Sequence, residues 1–219
     1  MRPLLLSLLL AALSAPAFAK KDKGDDDEGK IRLRGDTNIV SMDTFSIVPE
    51  DPDAAGFDEA GFKSTGISLG GAEARLHISY LVTPQIEVGV GLALGSTTLK
   101  SFVDKEDPEP LGKTTNIGLL FEPAYNLKLT EGLQLFVQPE VGIANTKTTP
   151  EDGDPTGSKY MLYGAEVGVH KRLVKHATMD LGLEYLAGSG HDSVDGKEDD
   201  TYTNKLSHIG IRAGFGIRI

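Results

Sequence analysis

The 219 residues include no Cys and no Trp, and the acidic side chains leave a formal net charge of −10. No Cys means no disulfide, no thiolate metal site and no lipid-anchored cysteine near the N-terminus. The negative balance argues against nucleic acid, which needs a basic stripe. Beyond the N-terminus, no run approaches the eighteen apolar residues of a membrane-spanning helix.

The chain opens on Arg2 and the short apolar run PLLLSLLLAAL, Pro3–Leu13, followed by the small-x-small triplet Ala17-Phe18-Ala19. A basic start, a short apolar core and such a triplet read as an export signal over residues 1–19, with the mature chain starting at Lys20. Next comes KKDKGDDDEGK, Lys20–Lys30, which has no apolar residue. It reads as a solvated leader, and its DDDE run as a flexible tail rather than a cation site.

From Ile31 to Ile219 the pattern predicts a single all-β domain. Alternation and turn residues mark eight strands: Ile31–Val48, Ile67–Val82, Gln85–Val103, Lys113–Leu129, Leu133–Thr148, Lys159–Leu173, Ala177–Gly190 and Thr203–Ile219. In the first strand the apolar phase slips. Ile31, Leu33 and Ile39 share one face, Val40 and Met42 the other, and Gly35 is the expected bulge.

The connections alternate. Thr83-Pro84, Thr130-Glu131-Gly132 and Val174–His176 are tight, whereas PEDPDAAGFDEAGFKSTG, DKEDPEPLG, PEDGDPTGS and HDSVDGKEDD are long and acidic. The first and last connections are long, so both ends of the domain fall at the short-turn end. Short turns at one end, long loops at the other and an even strand number are the layout of an antiparallel up-and-down transmembrane barrel.

The two faces of each strand support this reading. In QIEVGVGLALGS one face carries Ile86, Val88, Val90, Leu92 and Leu94, and the other carries Glu87, Gly89, Gly91, Ala93 and Gly95. Across the domain, the face opposite the apolar one holds Gly118, Gly142, Gly164, Gly168, Gly182, Gly210, Gly214 and Gly216. It also holds Glu73, Arg75, Glu87, Glu122, Glu140, Glu166, Glu184 and Arg212, together with Arg172 and Arg218. Glycine on a solvated sheet face costs strand stability and gains nothing. In a narrow eight-stranded barrel it makes room for long charged side chains. The expected arrangement is therefore polar inside and apolar outside, in a sheet that closes because lipid cannot satisfy a free edge.

On this alternation, residues 31–219 resemble the small outer-membrane β-barrel proteins, the OmpA/OmpX-like group of eight-stranded barrels. The last strand, HIGIRAGFGIRI, resembles that family's C-terminal assembly signal, although it ends on Ile219 where the family usually has an aromatic residue, often Phe. The resemblance implies a Gram-negative outer-membrane location, contact with outer-membrane lipids, delivery by the assembly machinery through the last strand, and a monomer. Tyr80, Phe121, Tyr125, Tyr163, Tyr185 and Phe215 are the candidates for the aromatic girdle. A soluble periplasmic barrel of lipocalin type, binding an apolar ligand inside, is the alternative that shares the alternation.

The turn at Glu131 sets an expected register that places Pro123 opposite Pro139 and Glu122 opposite Glu140. Each proline removes a ladder donor, so the hairpin should be weak or bulged there. Two such carboxylates require a base between them, from Arg75, Arg212 or Lys128, or a shared proton or cation. The lumen polar network then reads either as an ion-conducting constriction or as an ion-pair plug, and the narrow bore favours the plug. His77 with Ser79, and Ser207 with His208, lack the further groups of a hydrolytic triad. His191-Asp192 matches no metal-ligand spacing. The GxG repeats open no helix and cradle no phosphate. No catalytic, cofactor-binding or metal-binding residue is assigned. The expected function is structural or surface-exposed, with a narrow channel as the rival.

Overall fold

In the computed structural model, residues 30–49, 63–69, 73–101, 109–151, 155–194 and 197–219 are described. They form nine strands: β1 (Ile31–Pro49), β2 (Lys63–Leu69), β3 (Glu73–Leu81), β4 (Ile86–Ser101), β5 (Glu109–Thr130), β6 (Leu133–Pro150), β7 (Thr156–Val174), β8 (Ala177–Val194) and β9 (Lys197–Arg218). The expected export signal, the leader before Lys30 and parts of the long connections lie outside the described residues.

Every pairing is antiparallel: β1 pairs with β2 and β3, each strand from β3 to β8 pairs with the next, and β1 also pairs with β9 from Arg32↔Arg218 to Pro49↔Tyr202. That ladder closes the sheet. β2 and β3 lie end to end along one edge of β1, β2 against Val40–Ser46 and β3 against Ile31–Thr37. They are the two halves of one stave, the expected Ile67–Val82 strand, so the ring has eight antiparallel staves.

The turns at one end are as short as their sequences suggest. Thr83 Oγ1 accepts from the backbone N–H groups of Gln85 (3.2 Å) and Ile86 (3.0 Å), which fixes the Val82–Gln85 reversal. Gly132 takes φ = 75° at the β5–β6 turn, a conformation glycine adopts without a Cβ penalty. At the other end the staves run further than apolar alternation indicates. β5 starts at Glu109 rather than Lys113, and β9 at Lys197 rather than Thr203. The added sequence, EPLG before Lys113 and KEDDTY before Thr203, has no apolar alternation to mark it as strand.

The bulge in β1 falls between Asn38 and Val40, not at Gly35. The extra residue, Ile39, resolves the phase slip: Ile31, Leu33, Ile39, Val40 and Met42 all face outward. On the other staves the outward set is continuous, with Ile143 at 57% and Leu183 at 57% exposed, while the alternate residues are buried.

The inward glycines make two kinds of room. A Cβ on Gly91 would meet the Glu122 carboxylate, and one on Gly182 that of Glu166. At Gly142 and Gly164 it would strike the neighbouring strand's backbone, Leu119 O and Tyr185 O respectively. A backbone contact cannot be relieved by a rotamer change. Gly164→Val is expected to destabilise the barrel by about 1–3 kcal/mol, as other overpacked interiors do. The check is the temperature at which the folded, unboiled band is lost on SDS gels.

Candidate functional site

The interior of the ring holds two layers. Alternation sends the even-numbered residues of β5 to β9 inward, and in β1 it does so for Arg32, Arg34 and Asp36 below the bulge. On the short-turn side most inward residues are charged or polar, with Leu81, Ala124 and Phe136 among them. Toward the long loops Leu120, Tyr160, Leu162 and Leu186 form a buried cluster, with Phe45, Ala144 and Leu206 packed against it, and Asn204 is buried on the same inward phase. The interior is therefore not polar throughout, in contrast to the expectation from the sequence. An apolar cap lies over the charged layer.

Four arginines organise that layer. Arg75, on β3, is 1% exposed and reaches Glu122 (3.5 Å), Glu140 (3.1 Å) and Glu184 (2.5 Å). Arg212, on β9, donates to Glu184 (3.0 Å) and pairs with Asp36 through a very short contact. Arg34 lies 3.2 Å from Asp36 and 3.3 Å from Glu166. Arg32 donates to both Asp180 oxygens (2.7 and 2.8 Å) and lies 3.4 Å from Glu87. His77 sits between two carboxylates, Nε2 2.5 Å from Asp36 and Nδ1 2.5 Å from Glu122. His170 Nδ1 lies 2.7 Å from Asp180, and its ring stacks on Phe136 at 4.1 Å between centroids. The layer thus links all eight staves through side chains as well as through the ladder.

The β5–β6 register is the one the turn implies. Pairing is continuous from Gly112↔Pro150 to Phe121↔Val141 and resumes in the same phase at Tyr125↔Val137. The interruption falls at the two prolines, so the ladder weakens there without a bulge. Of the three candidate bases for the Glu122–Glu140 pair, Arg75 reaches both carboxylates. Arg212 turns to Glu184 and Asp36, and Lys128 is exposed at the short-turn rim.

Glu87, Glu122, Glu140, Glu166, Glu184, Arg75 and Arg212 are all buried in this layer. Glu73 opens β3 opposite Gly95, and its side chain lies outside the described residues. Sequence reasoning missed Arg32, Arg34, Asp36, His170 and Asp180. The signal for the first three was present as the alternating Arg-x-Arg-x-Asp of IRLRGD.

The His–Ser pairs do not form a nucleophile. Ser79 Oγ donates to Glu87 while His77 lies between Asp36 and Glu122. The His208 ring turns inward to Asp43 (2.6 Å), away from the outward phase of Ser207. At the short-turn mouth the space left is about 10 Å³, beside Arg172, His170 and Arg218. That is roughly one water.

No protein-family model matches the sequence, and no curated protein matches it. Solved structures do. The chain is similar to the outer membrane protein OprG from Pseudomonas aeruginosa, at 14% identity over 88% of this chain and 97% of that one, with a TM-score of 0.50. It is also similar to Ail of Yersinia pestis in complex with the heparin analogue sucrose octasulfate, at 14% identity, 88% and 99% coverage, and a TM-score of 0.46. A third is Neisserial surface protein A, at 11% identity, 88% and 100% coverage, and a TM-score of 0.46. The likeness to OprG carries the fold: an eight-stave, antiparallel, up-and-down barrel of the small outer-membrane type.

Proposed function

We propose that the protein spans a Gram-negative outer membrane as a monomeric barrel with a closed lumen. Its role is structural or surface-exposed, without enzymatic activity or cofactor. In this reading residues 1–19 direct export, the last strand is read by the assembly machinery, and the long acidic loops face outside the cell.

The observation that carries the reading is the inversion of the barrel's two faces. Leu181, Leu183, Ile211, Phe215 and their neighbours stand outward, while Arg75, Arg212, Glu140 and Glu184 are within 3% of complete burial. A soluble binding barrel needs the reverse. The closed lumen is supported by Arg75 and its three carboxylates. An ion passing that level would have to separate buried pairs, and breaking one such pair by removing a partner costs about 3–5 kcal/mol.

The test has two parts. The membrane-fraction protein is run on SDS gels boiled and unboiled, and a heat-dependent shift is expected because a closed ladder has no free edge. Pure protein in a planar bilayer should then show no steady conductance. Steady open channels would overturn the plug while leaving the barrel intact. A protein soluble without detergent, with no heat shift, would overturn the membrane reading itself.

A further inference from the structure

At the short-turn end, basic residues from four staves converge. Lys128 of β5, Arg172 of β7 and Arg218 of β9 line the mouth, and Lys30 continues the inward phase of Arg32 and Arg34 one step before β1. Lys175 stands exposed in the β7–β8 turn beside them. Among the described residues, the acidic groups at this level are Glu131, exposed in the β5–β6 turn, and the carboxylate at Ile219. Just below, Asp180 is already held by Arg32 and His170, and Glu87 by Arg32, Ser79 and Asn126. In a chain with a net charge of −10, this end of the barrel is positive.

Each of the four converging cations has contacts of its own, among them that of Arg218 with the side-chain oxygen of Gln134 at 3.2 Å. What favours a further anion is their convergence. Like charges gathered over a narrow bore repel, and a carboxylate between them reverses the sign of the interaction. The space at their centre is about 10 Å³. It takes the tip of one side chain and has no room for a free head group or a polymer.

The chain itself brings carboxylates to this place. Leu81 N–H donates to Lys30 O (3.0 Å), and Ile31 exchanges backbone hydrogen bonds with Ile219 (3.2 and 2.8 Å), so the chain enters the barrel at the mouth. Asp25, Asp26, Asp27 and Glu28 precede Lys30 by two to five residues. At about 3.3–3.6 Å per extended residue they reach from about 7 to about 17 Å from Lys30. That is enough to cross a mouth which its own side chains nearly fill. A tether of this length holds them at an effective concentration on the order of millimolar.

We propose that the acidic leader folds back over the short-turn mouth, with the carboxylates of Asp25–Glu28 held by Lys128, Arg172 and Arg218, in place of the free tail that its composition suggests. The leader is then a stopper on the short-turn side of the charged layer. The contact requires the closed barrel but not the bilayer.

The chain has no Cys, so Gly24→Cys and Thr130→Cys introduce its only thiols, one beside the acidic run and one at the mouth. The exported full chain, folded in detergent and reduced, is oxidised, and the disulfide-linked fraction is followed by mass spectrometry of the digest. Rates are normalised to the reaction of each single-Cys protein with a maleimide. A short tether alone gives some linking, so the measured quantity is the ratio of rates with and without the leader's charge. An exposed ion pair contributes up to about fivefold. Neutralising the run, D25N/D26N/D27N/E28Q, should therefore slow linking at least about fivefold. Salt at about 1 M, where the screening length is about 3 Å, should slow the charged protein toward the same rate. K128Q/R172Q should slow it as well, whereas K147Q/K159Q, at the opposite end, should not. If K128Q/R172Q gives no folded band on unboiled gels, the leader variant decides alone, since it changes no strand residue. Equal rates for the charged and neutral leaders, or a rate indifferent to salt, overturns the proposal and leaves the mouth to an anion from elsewhere.

Discussion

Replacing Arg75 by methionine is expected to destabilise the barrel by about 3–5 kcal/mol, the range for removing one partner of a buried ion pair. Methionine keeps much of the volume, so the loss reports charge more than a cavity. Three carboxylates lose a partner, but unequally. Glu184 keeps Arg212 at 3.0 Å, and Glu122 keeps His77 at 2.5 Å. Glu140 keeps the uncharged amide of Gln138, at 3.1 Å. The coupling should therefore concentrate at Glu140. Adding Glu140→Gln to Arg75→Met should recover more stability than adding Glu184→Gln, although Glu140→Gln alone also costs stability. Urea titration in lipid-detergent micelles, followed by far-UV circular dichroism because the chain has no Trp, measures all four corners of the cycle. Lys128→Met, at the exposed short-turn rim, should stay within about 0.5 kcal/mol. Equal small effects at Arg75 and Lys128 would mean that water reaches the interior freely, and the closed lumen would fall with that result.

Much of this arrangement could be read from alternation. A period of two identifies faces wherever one face is uniformly apolar, which holds for Ile86–Leu94, Ile117–Leu127 and Ile209–Ile219. Turn chemistry at Gly132 fixed the hairpin register, and that register brought Glu122 and Glu140 to one level and made Arg75 one of three candidate bases between them.

The misses share a different cause. The stave extensions before Lys113 and Thr203, EPLG and KEDDTY, pair without a hydrophobic period. The bulge at Ile39 shifts the phase of β1, which hid Arg32, Arg34 and Asp36 even though their own alternation was intact. The apolar cap of Leu120, Leu162 and Leu186 was hidden by its phase: these leucines sit among glycines and glutamates on the inward face, where a polar lining was expected. Partner choice is the least local property of all. Arg212 meets Asp36 from the opposite end of the chain because β9 closes on β1, and that pairing depends on the stagger of the closed ring rather than on any one strand.

Leu181→Arg separates a lipid-facing exterior from a solvated one more sharply than any change in the lumen. Leu181 stands near the middle of the apolar stretch of β8, between Ala177 and Tyr185, paired with Val169 on one side and Ala213 on the other, and is 48% exposed. On a solvated surface an arginine there should change stability by no more than about 0.5 kcal/mol, since its long stem can lie along neighbouring side chains. At the midplane of a bilayer the same arginine costs about 2–4 kcal/mol, falling to about 0–1 kcal/mol near the interface. Ser189, outward and exposed on the same stave but beyond the apolar band, supplies the depth control. Unfolding from phospholipid vesicles should show a large loss for Leu181→Arg and little for Ser189→Arg. The gradient matters more than either value, because a general intolerance of arginine on β8 would depress both. A flat profile near zero would place the outward leucines in water and turn the barrel's two faces around. A steep one fixes the bilayer level on β8 and keeps the outward leucines in lipid.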